Sequence, residues 1–132
     1  DAIGLATEFM NKEIAEFHYD LPLDFTAWVE DRHRCNWYPG DWTDDTDQMI
    51  LIMDSLAELH GKVDPQDFAL RLLKWVNQGF PELGDTGGSG CGRSTFSVIT
   101  HPDYKTDCHK AAFEVWNSGG RSNAPNGAVM RT

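Results

Sequence analysis

The sequence predicts an all-α protein, and three features of its 132 residues support that prediction. Apolar residues recur at helical spacing in several stretches, and no stretch alternates apolar and polar residues as a half-buried strand does. Capping residues, prolines and glycines stand where these stretches begin and end. The length suits one domain, so we expect residues 1–132 to form a single domain.

The first predicted helix lies near the start of the chain. Its apolar side consists of Ile3, Leu5, Ala6, Phe9 and Met10. We expect this helix to end before Pro22, because proline disfavours helical geometry at the residue that precedes it. Residues 20–42 are then predicted to form a long loop, and loops of that length are usually functional or mobile.

The second predicted helix has the clearest boundaries. Thr43 or Thr46 is suited to cap its N-terminus, and Gly61 is suited to end it. Three acidic residues fill the first turn, where they complement the helix dipole: Asp44, Asp45 and Asp47. The expected buried stripe is Met49, Ile52, Met53, Leu56 and Leu59.

The third predicted helix opens with Asp64 as N-cap and Pro65 at its first position, and it ends at Gly79. Its expected core face is Phe68, Leu72, Trp75 and Val76. A fourth helix is predicted between the cap residue Asp107 and Gly119. Its apolar residues are Ala111, Ala112, Val115 and Trp116.

Two segments outside these helices are rich in turn-forming residues. Residues 84–92 form a Gly-rich loop, and a short apolar segment follows it. Asn126-Gly127 is expected to form a turn that leads into a new helix. Each segment alone is also typical of an ordinary surface loop or turn.

Charge and apolar content exclude several classes of function. The formal net charge of −10 argues against binding a nucleic-acid backbone or an anionic membrane. The longest apolar run, residues 49–53, is too short to span a bilayer. Three cysteines without a CxxC pair are expected to stay reduced, so we expect a cytoplasmic or nuclear location.

The start of the second helix is a candidate metal site. At a helix N-terminus, the oxygens of Thr43, Asp44 and Asp45 can converge, and Mg²⁺ prefers oxygen ligands. The same aspartates also complement the helix dipole, so the pattern alone leaves both interpretations open. The five histidines form no HxxxH or HExxH pair, which argues against zinc catalysis.

The Gly-rich loop is a candidate site for a diphosphate, because closely spaced glycines let backbone N–H groups approach phosphate oxygens. Its spacing matches neither GxGxxG after a strand nor GxxxxGK[ST], which excludes both of those nucleotide-binding motifs.

Four stretches, in this order, resemble the ADP-ribosylglycohydrolases, the family that includes dinitrogenase-reductase-activating glycohydrolase and the ADP-ribosyl-acceptor hydrolases. The stretches are residues 1–9, 40–46 (GDWTDDT), 84–92 and 122–131. The resemblance spans the chain but only about the first half of what the family needs, so we expect the N-terminal portion of such a domain. It implies an all-α orthogonal bundle around a binuclear Mg²⁺ site, in a cleft that accepts ADP-ribose.

The resemblance also implies roles for individual residues. Thr43, Asp44 and Asp45 match the family's first metal-binding triplet, and Asp44 and Asp45 are the expected catalytic residues together with Glu8. The expected substrate-binding residues, which would line the diphosphate and ribose, are Gly87, Gly88, Gly90, Ser122, Asn126, Gly127 and Ala128. Met130 and Arg131 are expected to be structural.

The chain departs from the family in one respect. The family completes its metal site with a downstream Asp-x-Asp-Ser/Thr cluster, and Asp103 and Asp107 lack that spacing. We therefore expect the triplet of Thr43, Asp44 and Asp45 alone to hold Mg²⁺ weakly. The expected activity of the intact protein is Mg²⁺-dependent hydrolysis that removes ADP-ribose from a modified acceptor, with that conjugate or free ADP-ribose as its partner.

Two alternatives stay open at this point. One is a non-catalytic relative that keeps the fold and binds ADP-ribose or serves a structural role. The other lies outside the family: an acidic helical module that binds a cation or a basic protein partner.

Overall fold

The computed structural model describes residues 1–20 and 22–132. Its six α-helices are α1 (Lys12–His18), α2 (Asp44–Glu58), α3 (Pro65–Gln78), α4 (Arg93–Ile99), α5 (Cys108–Ser118) and α6 (Gly127–Met130). Short 3₁₀ helices occupy Gly4–Thr7, Arg34–Asn36 and Pro81–Leu83. The described residues contain no β-strand, so the all-α prediction is confirmed.

The predicted first helix is wrong as a single element, because the chain breaks it at Phe9. Residues Gly4–Thr7 form one 3₁₀ turn, and Phe9 then adopts a φ of 61°, which no right-handed helix accommodates. A new helix, α1, begins after Asn11, whose side chain accepts a hydrogen bond from the N–H of Ile14. It ends at His18, ahead of Pro22 as predicted; Leu21 lies outside the described residues.

Helix α2 begins where the sequence predicts, with Thr43 at the N-cap position. Its buried face is not the predicted stripe, however. The buried residues are Gln48, Leu51 and Ser55, whereas Met49 and Met53 are 36% and 58% exposed. The expected face is therefore wrong by one position, about 100° around the helix.

Two polar residues account for this rotation. Gln48 donates a hydrogen bond to Asp44, and Ser55 donates one to Asp67 of α3. Both side chains enter the interior because each finds a polar partner there, and burial of a polar group is tolerated when it is hydrogen-bonded. A buried face predicted from hydropathy alone therefore omits Gln48 and Ser55.

Helix α3 agrees with its prediction and carries the centre of the core. The carboxylate of Asp64 accepts hydrogen bonds from the N–H groups of Gln66 and Asp67, and Gly79 ends the helix with a φ of 61°. The predicted face is confirmed: Leu72 and Trp75 are buried, and Phe68 and Val76 pack against the core. The full core cluster is Leu51, Ala69, Leu72, Trp75, Phe80, Ile99, Tyr104 and Ala111.

The last helices frame the remaining side of the core. The short apolar segment after the Gly-rich loop is α4, which packs against α5. Asp107 caps α5 as predicted by accepting a hydrogen bond from the N–H of Lys110. On α5, Ala111 is fully buried, but Ala112 and Trp116 are exposed and do not belong to the core as expected.

Ala112 and Trp116 are exposed because few elements cover α5. This helix packs against α3 and α4 alone among the principal helix contacts, so one face of it is covered. The turn at Asn126-Gly127 leads into α6, as predicted. No helix among the described residues has the length and apolar character needed to cross a membrane.

Candidate functional site

The start of α2 is fixed by a carboxylate that lies far away in sequence. Asp1 accepts hydrogen bonds from the N–H and the hydroxyl of Thr43, both at 2.9 Å. It also accepts from the N–H and hydroxyl of Thr46, at 3.1 and 2.7 Å. The side chain of Thr43 makes no capping bond of its own, and Asp1 satisfies two of the free N–H groups at this helix end, those of Thr43 and Thr46.

Among the predicted metal ligands, Asp44 has a carboxylate whose pKa is strongly raised. Burial, followed by the charges of Asp45 and Glu8, raises its pKa from 3.8 to about 6. The side-chain amide of Gln48 donates a hydrogen bond to its Oδ2 at 2.7 Å. Gly90 packs so closely that a Cβ there would lie 3.0 Å from Oδ1. Gly90 thus lies against Asp44, and Asp45 and Glu8 lie close enough for their charges to act on it.

The oxygen atoms at the start of α2 fit a hard divalent cation. A threonine hydroxyl and two carboxylates supply only oxygen, and Mg²⁺ commonly takes one or two protein carboxylates while it keeps several waters. The hydroxyl hydrogen of Thr43 is directed to Asp1, which leaves its lone pairs for a cation. A bound dication would also relieve the repulsion between Asp44 and Asp45 that raises the pKa of Asp44.

A second group of possible ligand atoms lies elsewhere in the described chain. It comprises His101, Asp103 and Glu114, whose ligand atoms lie within 4.8 Å of one another. Lys110 places its Nζ atom 2.5 Å from Asp103 and 3.8 Å from Glu114. Because the ammonium group of Lys110 already pairs with both carboxylates, we interpret the group as an ion-pair network that joins α5 to the preceding turn.

A cleft of about 480 Å³ lies beside Thr43. Its lining includes Trp37, Trp42 and Asp47, together with Gly87 and Ser89 of the Gly-rich loop. Asp47 accepts hydrogen bonds from two indole N–H groups, those of Trp42 at 2.8 Å and Trp75 at 3.0 Å. Burial raises its pKa, and the two indole hydrogen bonds act in the opposite direction. Asp47 therefore links the cleft wall to the core.

The three predicted glycines of the loop have different surroundings. Gly87 lines the cleft, and Gly90 contacts Asp44. Gly88 instead packs flat on Trp75: a Cβ there would lie 2.6 Å from indole carbons, and its N–H donates to the carbonyl of Trp75. Glycine is required at Gly88 for close packing, whereas Gly87 and Gly90 face the candidate site.

Two of the four predicted substrate-binding residues near the end of the chain, Gly127 and Ala128, line a second groove of about 420 Å³. Ser122 and Asn126 are exposed, and the hydroxyl of Ser122 donates to the carbonyl of Gly119. The lining of this groove includes neither Ser122 nor Asn126, and none of the four residues lines the cleft beside Thr43.

Arg131 links this groove to the acidic centre. Its guanidinium lies 5.5 Å from the ring centre of Phe68, and its buried Nε atom has no hydrogen-bond partner among the described residues. Burial lowers its pKa, while Asp44 is among the groups that act in the opposite direction. Arg131 was predicted to be structural only, and its charge now lies within electrostatic range of the triplet.

Glu8 lies between the triplet and the long loop. Its Oε2 atom is 2.8 Å from Nε2 of His33, and its backbone carbonyl accepts from Arg34. Its charge contributes to the raised pKa of Asp44. Glu8 is therefore near the candidate metal ligands but is held from the opposite side by the loop.

Sequence reasoning missed three residues of this arrangement: Asp1, Gln48 and His33. A signal for Gln48 exists, because it lies four residues after Asp44 and such pairs are neighbours on a helix surface. No local signal places Asp1 or His33, since their partners lie 42 and 25 residues away.

Fold and site together define an all-helical protein that presents a hydroxyl and two carboxylates at a helix start, next to a Gly-rich loop. The family model of the ADP-ribosylglycohydrolases matches residues 1–132, the whole chain. The chain belongs to this family, which excludes the alternative of an unrelated acidic module.

Two curated relatives align with part of the chain. An uncharacterized protein from Archaeoglobus fulgidus is 33% identical over 75 residues, 57% of this chain and 23% of that protein. The uncharacterized protein YegU from Escherichia coli is 26% identical over 77 residues, 58% of this chain and 23% of that protein. The alignments thus span about a quarter of the length of these relatives. No solved structure matches the chain significantly.

Proposed function

We propose that the intact protein hydrolyses the bond between ADP-ribose and a modified acceptor, such as a protein side chain, in a Mg²⁺-dependent reaction. The observation that carries this proposal is the position of Asp44. Its half-buried carboxylate lies among Asp45, Glu8 and Gly90 with a raised pKa, in a chain of this family. Perturbed carboxylates are typical of functional sites, and Asp44 directly follows Thr43, which lines the cleft.

The triplet would hold the cation. Thr43 supplies a hydroxyl fixed by Asp1, and Asp44 and Asp45 supply carboxylates at the adjacent positions. When bound, Mg²⁺ would orient ribose hydroxyls and activate a water molecule. Gln48 restricts the carboxylate of Asp44 to one orientation, which favours a preformed site.

The chain's own carboxylates also suit the charge that develops during the reaction. As the bond at the anomeric carbon of the ribose breaks, that carbon acquires oxocarbenium character, and nearby anionic oxygens stabilise positive charge. Glu8 is suited to accept a proton from the attacking water or to close over the substrate. The N–H groups of the Gly-rich loop, at Gly87 and Gly90, are suited to approach the diphosphate.

The test compares Asp44→Asn and Asp45→Asn in the intact protein with Asp54→Asn, an exposed aspartate on the same helix. Each triplet variant is expected to lose ADP-ribose release by about a hundredfold or more, since even partners of metal ligands cost 10–100-fold. Asp54→Asn is expected to retain it.

Calorimetry with ADP-ribose and Mg²⁺, combined with the activity assay, distinguishes the proposed hydrolase from a non-catalytic member of the family. Binding by the wild-type protein without cleavage of any ADP-ribosylated acceptor would identify a non-catalytic member of the family. Full activity of both triplet variants would remove the metal-binding role from Asp44 and Asp45.

A further inference from the structure

We propose that His33 is a positioning residue, which holds the carboxylate of Glu8 in place at the edge of the site. This inference rests on the proposed function, since that function gives Glu8 its role. It is carried by a set of contacts through which residues 31–37 of the long loop grip Glu8. We call residues 31–37 the Glu8 clamp.

The direct contact joins two side chains. Nε2 of His33 lies 2.8 Å from Oε2 of Glu8, and both side chains are partly shielded from solvent, at 26% and 37% exposure. An ionised carboxylate only accepts hydrogen bonds, so His33 is the donor. No other side chain among the described residues hydrogen-bonds to the Glu8 carboxylate.

The ring of His33 is itself held between two aromatic side chains. Phe9 meets it edge-on with ring centres 4.9 Å apart, and the ring of Trp37 is tilted by 57° against it with ring centres 4.8 Å apart. Trp37 also lines the cleft beside Thr43. The imidazole is therefore restricted in orientation, and it connects Glu8 to a wall of the cleft.

Arg34 secures the backbone of the same segment. It is 1% exposed, and its guanidinium donates to the carbonyl of Ala6 at 2.7 Å and to the carbonyl of Glu8 at 2.6 Å. Asp31 pairs with this guanidinium and accepts the N–H groups of both His33 and Arg34. The Glu8 clamp thus fixes the main chain of Glu8 through Arg34 and its side chain through His33.

Arg34 and His33 therefore have different roles: Arg34 stabilises the fold of the segment, and His33 positions the Glu8 carboxylate. Loss of the Arg34 side chain would leave the carbonyl of Glu8 without its guanidinium donor and Asp31 without its ion-pair partner, so Arg34 is needed for the fold of this segment. Loss of His33 leaves the backbone contacts intact and frees one carboxylate. Glu8 then samples several rotamers, and a displacement of about 1 Å at a reacting group is enough to slow catalysis about a hundredfold.

The experiment uses the intact protein with His33→Ala, His33→Gln and the control His18→Ala, an exposed histidine at the end of α1. We expect His33→Ala to lower kcat for ADP-ribose release roughly tenfold to a hundredfold, with the Kd for ADP-ribose unchanged. Glutamine retains a donor nitrogen, so His33→Gln is expected to recover most of the lost rate. His18→Ala is expected to match the wild type.

Two readouts distinguish positioning from a general structural effect. In a Glu8→Gln background, His33→Ala is expected to lower kcat no further, whereas structural damage would add its own loss. The ¹³C carboxyl chemical shift of Glu8, identified by its absence in Glu8→Gln, is expected to differ between His33→Ala and the wild type, because the variant lacks the hydrogen bond from Nε2 of His33. This measurement needs no enzymatic activity.

The outcomes are distinct from those that test the function. An unchanged kcat in His33→Ala, or an identical Glu8 carboxyl chemical shift in that variant and the wild type, would overturn the positioning role. Absence of ADP-ribose release by the wild-type protein would instead overturn the proposed function, and the Glu8 resonance would still decide whether His33 holds that carboxylate.

Discussion

Asp1 and Thr43 are separated by 42 residues, yet the carboxylate of Asp1 accepts both the N–H and the hydroxyl hydrogen of Thr43 at 2.9 Å. A residue of the N-terminal segment thereby acts as the cap of α2, the helix that carries the candidate metal ligands. The negative charge of Asp1 also suits the positive end of the helix dipole. Stability of the helix start and placement of the triplet are therefore linked through one side chain.

Asp1→Ala is expected to destabilise the intact protein by about 0.5–2 kcal/mol, because Asp1 accepts from N–H groups at the start of α2 as an N-cap side chain does. It should also weaken Mg²⁺ binding, since Thr43 loses the acceptor that orients its hydroxyl. Urea unfolding and calorimetry with Mg²⁺ measure the two effects.

Asp54→Ala is the control for Asp1→Ala, because it removes an exposed carboxylate from the middle of α2. We expect it to change stability by less than about 0.5 kcal/mol. Equal effects of the two variants would show that Asp1 has no special role at the helix start.

Gln48 is expected to matter more for the metal site than for stability. Its amide nitrogen holds Asp44, but its buried Oε1 has no hydrogen-bond partner among the described residues. Gln48→Met removes the contact to Asp44 and also removes the unsatisfied acceptor, whose burial costs about 1–3 kcal/mol. We expect Mg²⁺ affinity to fall roughly tenfold or more while the free energy of unfolding changes little.

Gln66→Met provides the matched comparison for Gln48→Met. Both ends of the Gln66 amide are used, as it donates to the carbonyl of Tyr104 and accepts from the N–H of Cys108. We expect this variant to lose stability and to keep its Mg²⁺ affinity. A reversal of the two patterns in calorimetry and urea unfolding would contradict the role assigned to Gln48.

The boundaries of α3 were predictable from sequence because they are set by neighbours. Asp64 caps residues two and three positions ahead of it, and Pro65 and Gly79 act through their own backbone geometry. The buried face of α2 was not predictable in the same way. Gln48 and Ser55 become buried only because Asp44 and Asp67 are available as partners, and Asp67 belongs to another helix.

In the candidate site, too, features set by neighbours in sequence were predictable and contacts between distant residues were not. The triplet and the Gly-rich loop were recognised because their residues are adjacent in sequence. The approach of Gly90 to Asp44 and the grip of His33 on Glu8 depend on how loops fold over 46 and 25 residues of chain, and no periodicity encodes such contacts.

The metal-free protein is expected to show an inverted pH dependence at Asp44. Its pKa is raised from 3.8 to about 6 on folding, so between these values the folded state binds the proton more tightly than the unfolded state does. The contribution of Asp44 to stability is therefore greatest below pH 3.8 and is lost as the pH rises through 6.

The pH prediction is tested by the difference in unfolding free energy between two proteins, not by the pH dependence of one. The lowered pKa values of Asp67 and Asp31 make the folded state more stable as the pH rises, which opposes the effect of Asp44. Unfolding free energies of the wild type and Asp44→Asn are measured without Mg²⁺ across this range. The wild type should lose stability relative to the variant as the pH rises. A constant difference between the two proteins would contradict the raised pKa.

Gly88→Ala is expected to separate the packing role of the Gly-rich loop from its role at the site. A Cβ at Gly88 would lie 2.6 Å from the indole of Trp75, a core residue that is 1% exposed and cannot move aside. We expect a loss of about 1–3 kcal/mol from this overpacking, visible in urea unfolding. Gly92→Ala is the control, since nothing lies within 4 Å of a Cβ there and its φ of −60° suits alanine.

The two variants also report on Asp44, because the loop that rests on Trp75 through Gly88 continues to Gly90. If displacement of Gly88 shifts Gly90, the carboxylate of Asp44 loses its close neighbour and part of its shielding from water. Its pKa should then fall towards 3.8 in Gly88→Ala and stay near 6 in Gly92→Ala. An Asp44 pKa that is unchanged in a destabilised Gly88→Ala protein would show that packing of the loop on Trp75 does not shape the acidic site.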